Sequence, residues 1–357
     1  MKKIKIAQIG VGHDHATFIY DSLLRLKDFF EVKGFCVCEG EEPAYEAHKD
    51  TIYATGKKCS AEDILNDPEL DAVVIETQEA ELAKYARLAL EHGLHVHMDK
   101  PGCADHKEFE KLMLFAQSKG LTMSLGYMYR YNPVILKVME DIEKGDLGEV
   151  YSVEAHMDCL HPINKRKWLA TLPGGMMYFL GCHLIDLIVR IQGAPEEIIP
   201  LNASTGFDGV TCLDYGMAVL KYPKGISFAK TCATEPGGFM RRQLIICGEK
   251  GTLKINPFER YVASLYDELS IVTGFRFSSK EDAEKYGWNY HAKYMETEPF
   301  NRYDSMLKTF GSIVRGEEEN PYTYEYEIQM HKIMLCACGL QVWNPKEEKS
   351  NKKEGNS

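Results

Sequence analysis

Lys3-Ile4-Lys5-Ile6-Ala7-Gln8-Ile9-Gly10-Val11-Gly12-His13-Asp14-His15 opens the chain, and its reading decides the fold. A short isoleucine-rich run stops at Gly10, and an apolar pattern with helical spacing begins at Ala16. That order predicts a buried strand over 3–9, a tight glycine turn and a helix over 16–27. Working outward, the same alternation continues. Strands are expected over 30–38, 71–76, 94–98 and 121–125. Helices are expected over 60–66, with Ser60 and Asp63 as a capping pair, over 79–92, stopped by Gly93, and over 105–119, stopped by Gly120. Strand and helix in strict alternation are the sequence form of βαβ units around a parallel sheet.

The pattern changes near residue 126. A helix is expected over 133–144, followed by short strands at 151–157, 216–222, 226–231, 242–248 and 252–255, with helices at 176–192, 303–315 and 324–343. Strands in hairpin-like succession imply an antiparallel or mixed sheet. The expected organisation is therefore a dinucleotide-binding domain over 1–125, a second α/β domain over 126–343, and a polar tail over 344–357 too rich in Lys, Glu, Asn, Ser and Gly to pack. A length of 357 residues is compatible with two domains of roughly 100–200 residues each.

Composition narrows the partners. Lys and Arg number 42 against 53 Asp and Glu, a net charge of −11, and no basic block interrupts the acidic balance, so nucleic acid is not an expected partner. No apolar stretch approaches the ~18 residues of a membrane helix. The 11 cysteines are scattered with no C-x-x-C pair, which fits reduced thiols and a cytoplasmic location. A small molecule is the expected partner.

Four places could carry chemistry. Gly10 and Gly12, with His13 and His15 over the turn, lie where a dinucleotide pyrophosphate meets helix N-terminal amides; a plain strand–helix turn would use the same glycines. Glu39 follows the second strand, where a carboxylate accepts from ribose hydroxyls and repels a 2′-phosphate, favouring NAD over NADP; it could equally be a solvated acid beside Glu41 and Glu42. Asp99-Lys100-Pro101 ends the strand over 94–98, at the sheet edge where such folds place their chemistry. A lysine there can share in proton transfer, and a cis bond at Pro101 would pin it; a surface lysine before a loop proline is the plain alternative. Finally, His183 and Asp186 stand three apart on an expected helix, with Gly181 clearing space beside the imidazole. A core histidine held by a carboxylate would look the same.

Taken together, Gly10-x-Gly12, Asp99-Lys100-Pro101, Gly126-Tyr127-Met128-Tyr129-Arg130-Tyr131-Asn132-Pro133 and Gly174-Gly175 through Gly181-Cys182-His183 to Asp186 resemble the glucose–fructose oxidoreductase, inositol dehydrogenase and MocA family. The resemblance runs from residue 4 to about 340. It implies an N-terminal Rossmann domain and a C-terminal α/β domain with a large open, mostly antiparallel sheet used for assembly into a homodimer or homotetramer. It also implies NAD(P)-dependent oxidation or reduction of sugars and polyols. Lys100 matches the lysine of the family's Glu-Lys-Pro, while His183 and Asp186 match the last two members of D-x-G-x-H-x-x-D. Phe179 replaces the first aspartate of that motif. Of the T-P-N-x-x-H run only Thr77 remains, with Gln78, Glu79 and Leu82 in the other places.

Losing an anion beside His183 removes a stabiliser of imidazolium and makes the pocket more apolar, which suits a glycoside carrying an aglycone better than a bare polyol. Tyr127, Arg130, His156, His161 and Trp168 complete the expected substrate set with Phe179. No metal is expected: His156, Cys159 and His161 are ligand types in a spacing that matches no known site. The expected activity is hydride transfer between a carbohydrate secondary alcohol and NAD, with Lys100 and His183 handling the proton and Asp186 holding a neighbouring hydroxyl. The cofactor set is Gly10, Gly12, His13, His15, Glu39, Thr77, Lys100 and Pro101. The alternatives are a non-catalytic NAD or sugar sensor, and a tightly held NAD recycled in an epimerisation or a glycoside cleavage through a keto-sugar.

Overall fold

The structure is a computed structural model that describes residues 2–257, 262–266, 292–296 and 300–345. The chain divides into two compact units, Met1–Tyr131 with Phe300–His331, and Asn132–Pro299 with Lys332–Ser357. The sequence reading places the boundary at 125/126 and assigns 126–343 to the second domain; residues 300–331 instead pack with the first unit. The expected tail lies, beyond residue 345, outside the described residues.

The first unit is built in chain order from β1 (Ile4–Ile9), α1 (Ala16–Arg25), β2 (Phe30–Cys36), α2 (Glu42–His48), α3 (Ala61–Leu65), β3 (Ala72–Ile75), α4 (Leu82–Glu91), β4 (His95–Met98), α5 (His106–Lys119) and β5 (Met123–Leu125). All strands pair in parallel in the order β2-β1-β3-β4-β5. A parallel bridge from Phe35 to Lys58 lies beyond β2, in the place of an outer third strand. The strand order reverses between β1 and β3, and ligands of open α/β sheets bind at the carboxyl ends beside that point. Both faces of the sheet are covered, so its strands read as unbroken apolar runs: Ala72, Val73, Val74 and Ile75 are each fully buried. The expected Rossmann arrangement is the observed one.

Local chemistry sets the helix ends. Ser60 and Asp63 form a full capping box on α3. Asp105 caps α5 by accepting from the amides of Lys107 and Glu108, and Gly120 ends it at φ 64°.

In the second unit, α6 (Pro133–Glu143), β6 (Val150–His156), α7 (Ile163–Leu169), α8 (Cys182–Gln192), β7 (Glu197–Pro200), β8 (Tyr215–Lys221), β9 (Ile226–Cys232), β10 (Gln243–Gly248), β11 (Gly251–Ile255), β12 (Val262–Tyr266) and β13 (Ala292–Glu296) follow one another. The eight strands form one sheet in the order β13-β12-β11-β10-β6-β9-β8-β7, antiparallel except where β6 runs parallel to β9. α8 packs against β6 and β9. Val153, Ala155, Ala229, Leu220, Leu244 and Ile246 are buried on one face, while Glu154, Phe228, Lys230, Val219 and Ile245 alternate with them and stay half-exposed. That alternation is what an open sheet with one helix-covered face requires. The eleven cysteines, all among the described residues, form no disulfide.

Candidate active site

In the first unit the turn after β1 has the geometry its glycines predict. Gly10 adopts φ +90°, and a Cβ there would lie 2.6 Å from the Thr77 backbone. A Cβ on Gly12 would lie 2.6 Å from Oε1 of Glu41 and 2.9 Å from Gln78 Cγ. The carboxylate that reaches this turn is therefore Glu41, not Glu39. Oε2 of Glu41 accepts from the amides of Val11 at 2.7 Å and Cys38 at 3.0 Å, and Oε1 accepts from the amide of Gln78 at 3.1 Å. Glu41 is buried and Glu39 is exposed. Burial raises the Glu41 carboxyl above its usual range, against the pull of these amides. Amides from the ends of three strands thus converge on one anion, a donor set that fits a phosphate or a carboxylate equally well.

Beyond the turn, residues from β1, β3 and β4 meet. His13 is buried, with its Nε2 donating to the Lys100 carbonyl at 3.1 Å; burial lowers its pKa to about 3, so the ring is neutral. His15, half-buried, holds Asp99 through Nδ1 at 2.9 Å and meets the Tyr303 ring at a tilt, 5.3 Å between centroids. Burial works to raise Asp99, but His13, His15 and Lys100 together hold it well below the usual carboxylate range. Glu76, which directly follows β3, is fully buried and raised far above its ordinary value by that burial and by the charge of Asp99. Lys100 is fully buried, its amide donates to Oδ1 of Asp99 at 2.6 Å, and its bond to Pro101 is cis. The structure thus brings His13, His15, Asp99 and Lys100 together at the carboxyl edge of the sheet. Thr77 is buried beside Gly10, its hydroxyl donating to the Gln78 carbonyl.

Arg130 has a different part from the one expected. Its guanidinium is buried and paired on two nitrogens with the two oxygens of Glu327, from the helix Tyr324–Ala337, and it lies 4.6 Å from the ring of Tyr127 and 4.0 Å from that of Tyr322. A guanidinium committed to a buried carboxylate between tyrosines anchors that helix and is not presented to a substrate. Tyr127 is buried beside it.

In the second unit His183 and Asp186 sit one turn apart near the start of α8, both buried. The turn that precedes them, Met177–Gly181, is a π-helix. Such bulges re-aim side chains and recur at functional sites. Gly181 closes against Met177, where any Cβ would collide with the thioether sulfur. Phe179 belongs to a cluster with Cys159, Leu169, Met176 and Ala233 and meets Trp168 edge-on at 5.2 Å and His161 at 6.0 Å. Lys165 lies 3.5 Å over the Trp168 ring. His156 does not join this group. It ends β6 on the side opposite Ala155, against Phe228 at 5.4 Å, because strand alternation turns it to the open face.

Two family profiles match the chain. One, described as the oxidoreductase family with an NAD-binding Rossmann fold, covers residues 4–127, and the other, described as the GFO/IDH/MocA C-terminal domain, covers residues 135–254. The chain belongs to the GFO/IDH/MocA oxidoreductases. Among related members, the uncharacterized oxidoreductase YhhX of Escherichia coli is 31% identical over 55% of this chain and 55% of its own. D-xylose 1-dehydrogenase (NADP(+)) 2 of Haloferax volcanii is 29% identical over 55% of this chain and 60% of its own. The chain is thus matched over little more than half the length of these relatives. An oxidoreductase structure from Thermotoga maritima shares the fold at a TM-score of 0.73 and 17% identity, covering 96% of this chain and 98% of that one.

Sequence reasoning missed Glu41, Glu76 and the Arg130–Glu327 pair. Glu76 was open to discovery, since an acid directly after the apolar run of β3 falls at the functional edge of a parallel sheet. Glu41 was not, because Glu39, Glu41 and Glu42 stand within four positions and only the chain path after β2 selects one.

Proposed function

We propose that this GFO/IDH/MocA member is an NAD-dependent dehydrogenase moving hydride between a secondary alcohol of a sugar, polyol or glycoside and the nicotinamide. The observation that carries the reading is a glycine turn whose amides converge on an anion, with a buried lysine at the end of β4 on the same sheet edge. The dinucleotide supplies the hydride chemistry, and the chain supplies orientation and proton handling. The amides of the Gly10–Gly12 turn, Val11 among them, would hold the pyrophosphate, and Glu41, whose carboxylate lies against this turn, would disfavour a 2′-phosphate by its charge and so favour NAD.

Lys100 holds the substrate hydroxyl and shares its proton, His183 serves as general acid and base, and Asp186 orients a neighbouring hydroxyl. Phe179 and Trp168 supply an apolar wall, which favours glycosides with an apolar aglycone over free polyols. The open face of the second sheet is where copies associate as a homodimer or homotetramer; a solution mass of one chain would contradict that.

The test is steady-state reduction of NAD with a panel of polyols and aryl glycosides. K100M is expected to lower kcat/KM by about 10²–10⁴ while nucleotide binding persists. Wild-type turnover on no member of the panel would favour a sensor instead.

A further inference from the structure

Three ligand-type side chains from two distant stretches of the first unit converge where β1 and β4 end. Oδ2 of Asp99 lies 2.9 Å from Nδ1 of His15 and 3.3 Å from Nδ1 of His13. One ligand atom from each residue falls within 4.8 Å of the others. The hydrogen bonds decide which nitrogen of His13 carries its proton. Nε2 faces the Lys100 carbonyl, which only accepts, and Nδ1 accepts the amide of His15 at 3.2 Å. Nδ1 of His13 carries no hydrogen in this tautomer and stands 3.3 Å from a carboxylate oxygen; an ion taken up there would replace the His15 amide at its lone pair. Two acceptors so placed repel unless one cation serves both.

A second observation points to the same place. Glu76 is fully buried, and among the described residues neither of its carboxylate oxygens has a hydrogen-bond partner; Oε2 lies 3.8 Å from the same Nδ1 of His13. A buried acid whose oxygens meet no donor is costly, and a cation at this point would remove that cost.

We propose that His13, His15 and Asp99 bind a divalent transition-metal ion of the zinc class, with Glu76 directed at the same point. Metal bonds of about 2.0–2.1 Å at tetrahedral angles put donor atoms about 3.3 Å apart. The two pairs that share Asp99 are separated by 2.9 and 3.3 Å, and the three donors together by no more than 4.8 Å. Two imidazoles select a transition metal over magnesium or calcium, which take oxygen donors. The ion ties the glycine turn to the end of β4 and so fixes the backbone that carries Lys100. Every ligand belongs to the chain itself, so zinc binding can be read in the absence of any nucleotide.

The test uses the full chain without a histidine tag, stripped with a chelator and titrated with zinc ions by calorimetry. The expected result is one equivalent per chain, a raised thermal midpoint, and at least ~10-fold weaker binding in H15Q and in H13Q. Should H13Q fail to fold, the half-exposed His15 provides the decisive variant. Cobalt(II) in the wild-type protein should give visible bands of a nitrogen–oxygen tetrahedral site without sulfur charge-transfer absorption. Absence of stoichiometric zinc, equal affinity for magnesium, affinity unchanged in H15Q, or cobalt spectra of thiolate ligation would each overturn the proposal.

Discussion

Glu41 and Glu39 differ by two positions and have opposite surroundings. The first is buried and accepts three amides, whereas the second is exposed. A carboxylate placed beside a ribose discriminates against a 2′-phosphate, so the two residues should separate cleanly by substitution. E41A is expected to shift the ratio of NADP to NAD affinity toward NADP by about 10-fold, or ~1.4 kcal/mol, and E39A to leave it unchanged. Fluorescence titration with both reduced nucleotides reads this ratio, and the reverse pattern would return the role to Glu39. A second residue-scale expectation concerns Arg130. Removing its partner leaves a buried guanidinium uncompensated, so E327A should cost about 3–5 kcal/mol in denaturant unfolding. A loss under ~1 kcal/mol would show that the pair is not the anchor described here.

At the scale of elements, β4 and the helix Tyr324–Ala337 each bury a neutral histidine. His97 on β4 lies 2.8 Å from the Ser124 hydroxyl of β5, and burial lowers its pKa to about 4. His331 stacks on Phe109 at 3.9 Å, donates to the Cys103 carbonyl at 2.9 Å, and is lowered by burial to about 3. In the unfolded chain both titrate near 6.5. Below that pH the unfolded state binds protons that the folded state refuses, so stability is full above 6.5 and falls as the pH drops toward 4. Each histidine contributes a slope of up to ~1.4 kcal/mol per pH unit in that window. Unfolding free energies from pH 7 to 4.5 check this, and H97N should flatten the curve; a variant as steep as the wild type would contradict it.

For the whole molecule, what was legible in sequence followed periodicity. The five parallel strands of the first unit announced themselves because buried strands read as apolar runs ending in glycine or an acid. The capping pair of Ser60 and Asp63 was legible because that contact is local. α2, α7 and β7 were not, being short and polar on most of their surface. Nor was the return of residues 300–331 to the first unit, since an apolar helix stripe does not name the surface it covers. The site divided in the same way. Lys100 and the glycine turn lie on strand ends and could be found by motif, whereas His13 and His15 reach Asp99 across a separation of 84 residues for His15, which no spacing rule links.

The central claim is that the first unit takes up a nicotinamide dinucleotide at the Gly10–Gly12 turn, and equilibrium binding of NADH to the full chain, followed by the fluorescence of its reduced ring, tests it most directly. The account predicts saturable binding at one site per chain, displaced by NAD. Absence of binding, or a signal that NAD does not displace, would contradict it.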